Sequence, residues 1–155
     1  TPEIKEKQAF AIEAKECCKK YCKDREDVFL VFEQEKEDHY GRLLAHVYAL
    51  NPEDESTSVL VNAAEVALGF ARYYHPGEKD LSTKELLMDC QRVARDEKRG
   101  QWADIEEAVA CTITFHGKCY HDAACDNLKK TKRPIHTTVG EALDKGLSPC
   151  RDCMT

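Results

Sequence analysis

Residues 28–50 read Val-Phe-Leu-Val-Phe-Glu-Gln-Glu-Lys-Glu-Asp-His-Tyr-Gly-Arg-Leu-Leu-Ala-His-Val-Tyr-Ala-Leu and contain two apolar runs, at 28–32 and 43–50. The first run consists mainly of β-branched and aromatic residues. An acidic connector that ends in Tyr40-Gly41-Arg42 separates the two runs. Short runs of this composition around a polar turn are typical of neighbouring β-strands. The stretch therefore predicts two paired strands.

Helical patterns surround these strands. Apolar residues recur at helical spacing from residue 8 to residue 22, which predicts an amphipathic helix. Asn62 with Glu65, and Ser82 with Glu85, have the spacing of capping boxes and predict two further helix starts. Gly69 is the expected stop of the first of these helices, and the second is expected to run toward Gly100.

The composition changes after Trp102. An acidic stretch leads to an alternating strand pattern at 112–115, and Thr138 with Glu141 predicts a short helix that Gly146 can end. We therefore predict two domains, residues 1–104 and residues 105–155, in an α+β chain.

Net charge also differs along the chain. Residues 1–110 carry 16 Lys and Arg against 24 Asp and Glu, a balance of −8, whereas residues 111–155 carry 7 against 5, a balance of +2. An acidic body argues against broad electrostatic attraction to nucleic acid, so such binding has to be local. No apolar run approaches the roughly 20 residues that span a bilayer, so no membrane insertion is expected.

Nine cysteines make an odd number, so disulfides within one chain cannot pair all of them. Several lie in helical patterns, where a free thiol packs as a small apolar group. This usage favours an intracellular location, organelles included, over secretion.

Two pairs of metal-ligand residues occur near the C-terminus, His121-x3-Cys125 and Cys150-x2-Cys153. Thiolates and imidazole are donors that zinc prefers over calcium, and four of them suit a closed, structural zinc site. Cys119 is an alternative to His121 as the fourth ligand. Unligated cysteines or a disulfide are the competing interpretation.

A basic run lies between the two ligand pairs: Lys129, Lys130, Lys132 and Arg133. It can contact nucleic-acid phosphates, although a solvated loop is the simpler interpretation. The motifs around the ligands, including Tyr120-His121-x3-Cys125-x2-Leu128 and Pro149-Cys150-x2-Cys153, resemble the small metal-binding domain related to the Ada-type DNA-repair module. That family uses four cysteines. The histidine here puts its methyl-acceptor chemistry in doubt.

The first 102 residues resemble the staphylococcal nuclease family. The resemblance is carried, in order, by Thr1-Pro2-Glu3, Glu13-Ala14, Asp38-x-Tyr40-Gly41-Arg42-x2-Ala45-x-Val47-Tyr48, Val61-Asn62, Gly69-x-Ala71, Ala94-Arg95 and Gly100-x-Trp102. It implies an OB-fold barrel with packed helices, and a metal-dependent nuclease, usually using calcium, that hydrolyses phosphodiester bonds of DNA or RNA.

The resemblance assigns roles to individual residues. Glu3 corresponds to the family's catalytic glutamate, and Arg42 to an arginine that binds phosphate oxygens. The carbonyl of Thr1 corresponds to a calcium contact. Tyr73 and Tyr74 stand where the family carries tyrosines that stack on the nucleotide, but packing explains them equally well.

The family also places two metal-binding aspartates, a second arginine and three strands before the Thr-Pro-Glu motif, and this sequence has none of them. We therefore expect a preceding segment or another chain to complete the barrel and its calcium site. The alternative is a non-catalytic binding or scaffold subunit in a larger assembly, since a fold does not guarantee an activity.

Overall fold

The computed structural model describes residues 10–23, 27–38, 40–74 and 82–154. The chain divides into two compact units, Thr1–Asp104 and Ile105–Thr155. In the part of the chain that the structure describes, no helix combines the length and apolarity needed to cross a membrane.

The described residues of the first unit form three helices, one 3-10 turn and a three-stranded sheet. In chain order these are α1 (Ala11–Cys22), β1 (Val28–Val31), β2 (His46–Leu50), β3 (Ser58–Leu60), α2 (Val61–Ala67), α3 (Lys84–Asp96) and the 3-10 turn Gly100–Trp102. The helix predicted over residues 8–22 is confirmed from Ala11 onward, and residues 8 and 9 lie outside the described residues.

Strands β1, β2 and β3 form an antiparallel sheet in that order. The predicted pairing of the two apolar runs is confirmed, with Val31 opposite His46 and Val28 opposite Ala49. All four residues of β1 are exposed. Among the described residues this sheet is open, so the expected closed barrel is not formed by them.

The predicted cap of α2 is wrong. The N-cap position belongs to Leu60 and receives no side-chain hydrogen bond, while Asn62 lies inside the first turn. The Asn62 Oδ1 instead accepts a hydrogen bond from the Val47 N–H at 2.8 Å, and its Nδ2 donates to the Ala45 carbonyl at 3.5 Å. The same polar side chain therefore joins the helix to the chain entering β2 and satisfies a backbone donor there.

The predicted Ser82 cap is also wrong. Helix α3 begins at Lys84 with Thr83 as its N-cap and no side-chain cap bond. Ser82 donates its N–H and its hydroxyl to the Glu33 Oε1, at 2.9 and 2.6 Å, and the same oxygen lies 3.0 Å from the His46 Nε2. Ser82 therefore bonds to Glu33, a residue distant in sequence, instead of capping α3. Sequence spacing alone cannot reveal such a partner.

The backbone at Gly69 contacts the backbone at Arg99 and Gly100. Gly69 follows the end of α2 with a left-handed φ of 73°, as its role as a helix stop requires. A Cβ added to Gly69 would lie 2.3 Å from the Arg99 carbonyl oxygen, and one added to Gly100 would lie 2.4 Å from the Gly69 oxygen. These two glycines permit a close backbone contact. Helix α3 itself ends earlier than expected, at Asp96.

The second unit is a four-stranded sheet with one short helix. Its elements are β4 (Ala110–Ile113), β5 (Cys119–His121), a 3-10 turn (Asp126–Leu128), β6 (Ile135–Thr138), α4 (Val139–Asp144) and β7 (Ser148–Pro149). The strand order is β6-β4-β5-β7, and only β5 and β7 run parallel. The predicted cap of α4 is confirmed, because the Thr138 hydroxyl accepts from the Glu141 N–H at 3.3 Å. Gly146 follows with a φ of 74°.

Candidate metal centre and candidate phosphate site

The parallel pair β5 and β7 brings the four predicted metal ligands together. His121 is the last residue of β5, and Cys150 directly follows β7, so both lie at the same end of two adjacent strands. The turns after these strands supply Cys125 and Cys153. The four ligand atoms all lie within 4.8 Å of one another. Strand pairing thus joins two ligand pairs that are distant in sequence.

The cluster includes His121. Cys119 lies two residues earlier on β5 and is not part of the cluster, so the geometry favours the histidine as the fourth candidate ligand. The Nδ1 of His121 is buried and has no hydrogen-bond partner among the described residues. A buried polar nitrogen without a partner is costly, and a metal ion at the cluster would satisfy it.

Hydrogen bonds to sulfur surround the cluster. Burial opposes ionisation of Cys150, but bonds from the Asp152 N–H and the Asn127 amide outweigh it and lower the pKa of this thiol. Burial raises the pKa of the Cys153 thiol despite the bond from the Asp122 N–H at 3.4 Å. Crowded thiols of this kind exchange their protons for a thiophilic cation.

Asn127 is a supporting residue that the sequence patterns did not single out. Its Nδ2 lies 3.5 Å from the Cys150 Sγ and 2.7 Å from the Asp152 Oδ2. Such outer contacts orient the ligands of metal sites. In the sequence, only its position two residues after Cys125 indicates that it lies near the cluster. All nine cysteines are free thiols, so the competing disulfide is absent.

A second polar site surrounds Arg42, at the turn between β1 and β2. Asp38 accepts from the backbone N–H groups of Tyr40 and Arg42 at 2.9 Å each, and its Oδ2 accepts from the Arg42 Nε at 2.6 Å. These bonds, with that from the Arg42 N–H the strongest, lower the pKa of Asp38. The sequence motif contains Asp38, but its pattern did not reveal this orienting role.

The Arg42 side chain is oriented yet open to solvent. Its side chain is 73% exposed, against 10% for that of Asp38. Its terminal nitrogens make no hydrogen bond within the described part of the chain, and its guanidinium lies 5.4 Å from the centre of the Tyr40 ring. A planar guanidinium held at Nε presents its remaining donors to a phosphate.

The two predicted tyrosines differ in exposure. Tyr73 is 6% exposed and packs with Val66 and Leu87, whereas Tyr74 is 59% exposed. The burial of Tyr73 favours its packing role, because a buried ring cannot stack on a nucleotide. Glu3 and Thr1 lie outside the described residues.

The basic run is solvent-exposed throughout. Lys129 pairs with Asp126 at 2.9 Å. Lys130, Lys132 and Arg133 are exposed and make no ion pair with any residue that the structure describes. Most of the run is therefore available to an anionic ligand.

A protein-family model described as staphylococcal nuclease homologue matches residues 1–104. The chain belongs to the staphylococcal nuclease family. No curated protein matches the chain significantly. The nuclease match and the first compact unit cover the same stretch of sequence.

The calcium that the staphylococcal nuclease family implies does not fit the described residues. Their single cluster of three or more potential metal ligands is the histidine and cysteine group of the second unit. Calcium needs six to eight oxygen ligands, which sulfur and imidazole do not provide. The described side chains alone therefore provide no calcium site.

Proposed function

We propose that this protein is a nuclease-type subunit that binds phosphodiesters of DNA or RNA at Arg42 and hydrolyses them once its barrel is complete. The oriented and exposed guanidinium of Arg42 is the observation that carries the proposal. It can stabilise the charge that develops on phosphate oxygens during attack. Glu3 has the family's role of positioning the attacking water.

The exposed strand β1 supports completion of the OB-fold barrel. Within the described residues β1 pairs only with β2, which leaves its outer edge unpaired, and its apolar residues are exposed. An apolar edge strand of this kind recruits further strands. We assign its partner to the family's first strands, supplied by a preceding segment or by another chain.

Residues 105–155 form, in this proposal, an Ada-like zinc-binding module. The metal is structural zinc held by His121, Cys125, Cys150 and Cys153, because four protein ligands leave no open position for water. The zinc stabilises a unit whose core is small, and it keeps the surface of that unit folded for contacts with a partner.

The test of the nuclease is cleavage of single-stranded DNA and of RNA with calcium. The chain should be compared alone and with a segment that supplies the first strands. We expect cleavage by the completed form, reduced about 10²- to 10³-fold by Arg42→Ala. Arg92→Ala is a matched control, since Arg92 is an arginine of comparable exposure, 62% against 73% for Arg42, and pairs with Asp89 on α3. No cleavage by the completed form contradicts the enzyme proposal.

A non-catalytic scaffold is the second candidate. The burial of Tyr73 and the lack of an oxygen-ligand cluster among the described residues favour it. It predicts that the completed form binds nucleic acid or protein without cleaving phosphodiesters. The same cleavage assay, run beside a binding measurement, separates the two candidates.

A further inference from the structure

The turn between β4 and β5 exposes an aromatic ring. Phe115 is 83% exposed, the most exposed large apolar residue among those that the structure describes. Its ring meets the His116 ring edge-on, with 4.7 Å between the centroids. The Gly117 N–H donates to the Thr114 carbonyl at 3.2 Å and closes the turn. The ring is thus held in a short turn instead of being packed in the core.

Strand register places basic residues at the same end of the sheet. Ile113 lies opposite Tyr120 on β5 and opposite Ile135 on β6. Lys118 precedes β5, and Lys132 and Arg133 precede β6. All three therefore lie at the end of the sheet where Phe115 projects. With strands about 4.8 Å apart, the chains leading into β5 and β6 flank the end of β4 at roughly 10 Å from each other.

Charge at this end has one sign. The segments that lead out of β4 and into β5 and β6, residues 114–118 and 131–134, contain Lys118, Lys132 and Arg133 and no Asp or Glu. We call Phe115, Lys118, Lys132 and Arg133 the aromatic–basic end. The metal cluster lies at the opposite end of β5, so a ligand here would not contact the metal.

We propose that the aromatic–basic end binds a single-stranded nucleic acid, with a base stacked on Phe115 and the neighbouring phosphates on the basic side chains. An isolated exposed ring beside several cations is the combination that single-strand binding uses, because each base has a face for stacking. A duplex buries those faces. An acidic protein would use the cations but would not need the ring.

The proposal deepens the proposed function, since it supplies a binding surface for the substrate of the nuclease unit. It depends on the zinc module being folded but not on cleavage. Binding is therefore measured without added calcium on the zinc-loaded full chain, so that failure of binding and failure of cleavage can be told apart.

The experiment follows fluorescence anisotropy of a labelled oligothymidylate, with a duplex of the same length as comparison. We expect Phe115→Ala to weaken single-strand binding about tenfold or more. Phe115→Trp should retain binding, because indole also stacks. Val109→Ala is the matched control: Val109 is an exposed apolar residue of the same unit, at 43% exposure.

The cations are tested through salt dependence. Replacement of Lys132 and Arg133 by Ala should reduce the slope of log affinity against log salt by about 1.4, at roughly 0.7 for each phosphate contact. Lys145→Ala, in the same unit, should leave the slope unchanged.

Zinc content and hydrogen exchange verify that each variant is folded. Equal affinity of Phe115→Ala and the unchanged chain for the oligothymidylate overturns the proposal. Binding of polyglutamate as tight as that of the oligothymidylate also overturns it, because such binding would be electrostatic only.

Discussion

Removal of the metal should unfold the second unit and leave the first intact. The unit has about 50 residues, and a core of that size contributes no more than about 3 to 5 kcal/mol. Structural zinc contributes about 10 to 16 kcal/mol of apparent binding free energy in small zinc domains at pH 7. Loss of the metal thus removes more free energy than the core provides. It also leaves the buried His121 Nδ1 without a partner.

The assay combines native mass spectrometry with hydrogen exchange. We expect one zinc ion per chain. A strong chelator should abolish exchange protection in residues 105–154 while protection in α2 and α3 persists. Cys153→Ser and His121→Ala should each lower zinc content. Cys119→Ser is the control, because this thiol lies on the same strand outside the cluster and should leave the metal bound.

Two results would refute this reasoning. The first is a chain, purified natively from zinc-containing medium, that carries no zinc and still protects residues 105–154 from exchange. The second is loss of zinc from Cys119→Ser with retention of zinc in His121→Ala. That result would mean that Cys119, and not His121, is the fourth ligand.

Three further predictions concern the first unit. Hydrogen bonds from Ser82 and from His46 lower the pKa of Glu33 to about 2, from an ordinary value of 4.5. Because the pKa of Glu33 is lower in the folded protein, its ionised form stabilises the fold above about pH 4.5, and this stabilisation is lost as the pH falls toward 2. The free energy of unfolding of Glu33→Gln, measured across this pH range, should lack this part of the pH dependence. Gly69→Ala should destabilise by about 1 to 3 kcal/mol more than Gly41→Ala in urea unfolding, since both glycines have positive φ but only Gly69 has a clash. Equal losses would contradict this. Asn62→Ala should cost about 1 to 3 kcal/mol, because it leaves the Val47 N–H without its partner, whereas Asn62→Asp, which keeps the acceptor, should cost less.

Much of the first unit was predictable because its signals are local. The two apolar runs predict the β1–β2 pair, and the spacing of α1 predicts its buried face around Cys17. The predicted caps at Asn62 and Ser82 failed for a common reason. Each side chain found a partner on another element, and capping patterns describe only neighbours in sequence.

The second unit shows the same limit at its metal centre. The spacing of each ligand pair predicts a chelating turn, but both His121 and Cys119 are compatible with the sequence. The parallel register of β5 with β7 places His121 beside Cys150, at the strand end that precedes the turn with Cys153. Register is a long-range property, and no local spacing encodes it.

The sequence by itself determined the membership in the staphylococcal nuclease family and the two ligand pairs, because turns and chelation depend on residues close together along the chain. Only the tertiary structure decided that Asp38 orients Arg42 through its side chain, that Tyr73 is buried, and that the segments carrying Phe115, Lys132 and Arg133 lie at one end of a sheet. The physical reason is that side-chain partners and burial are set by which strands pair and in which register, and those choices are made by packing of the whole unit.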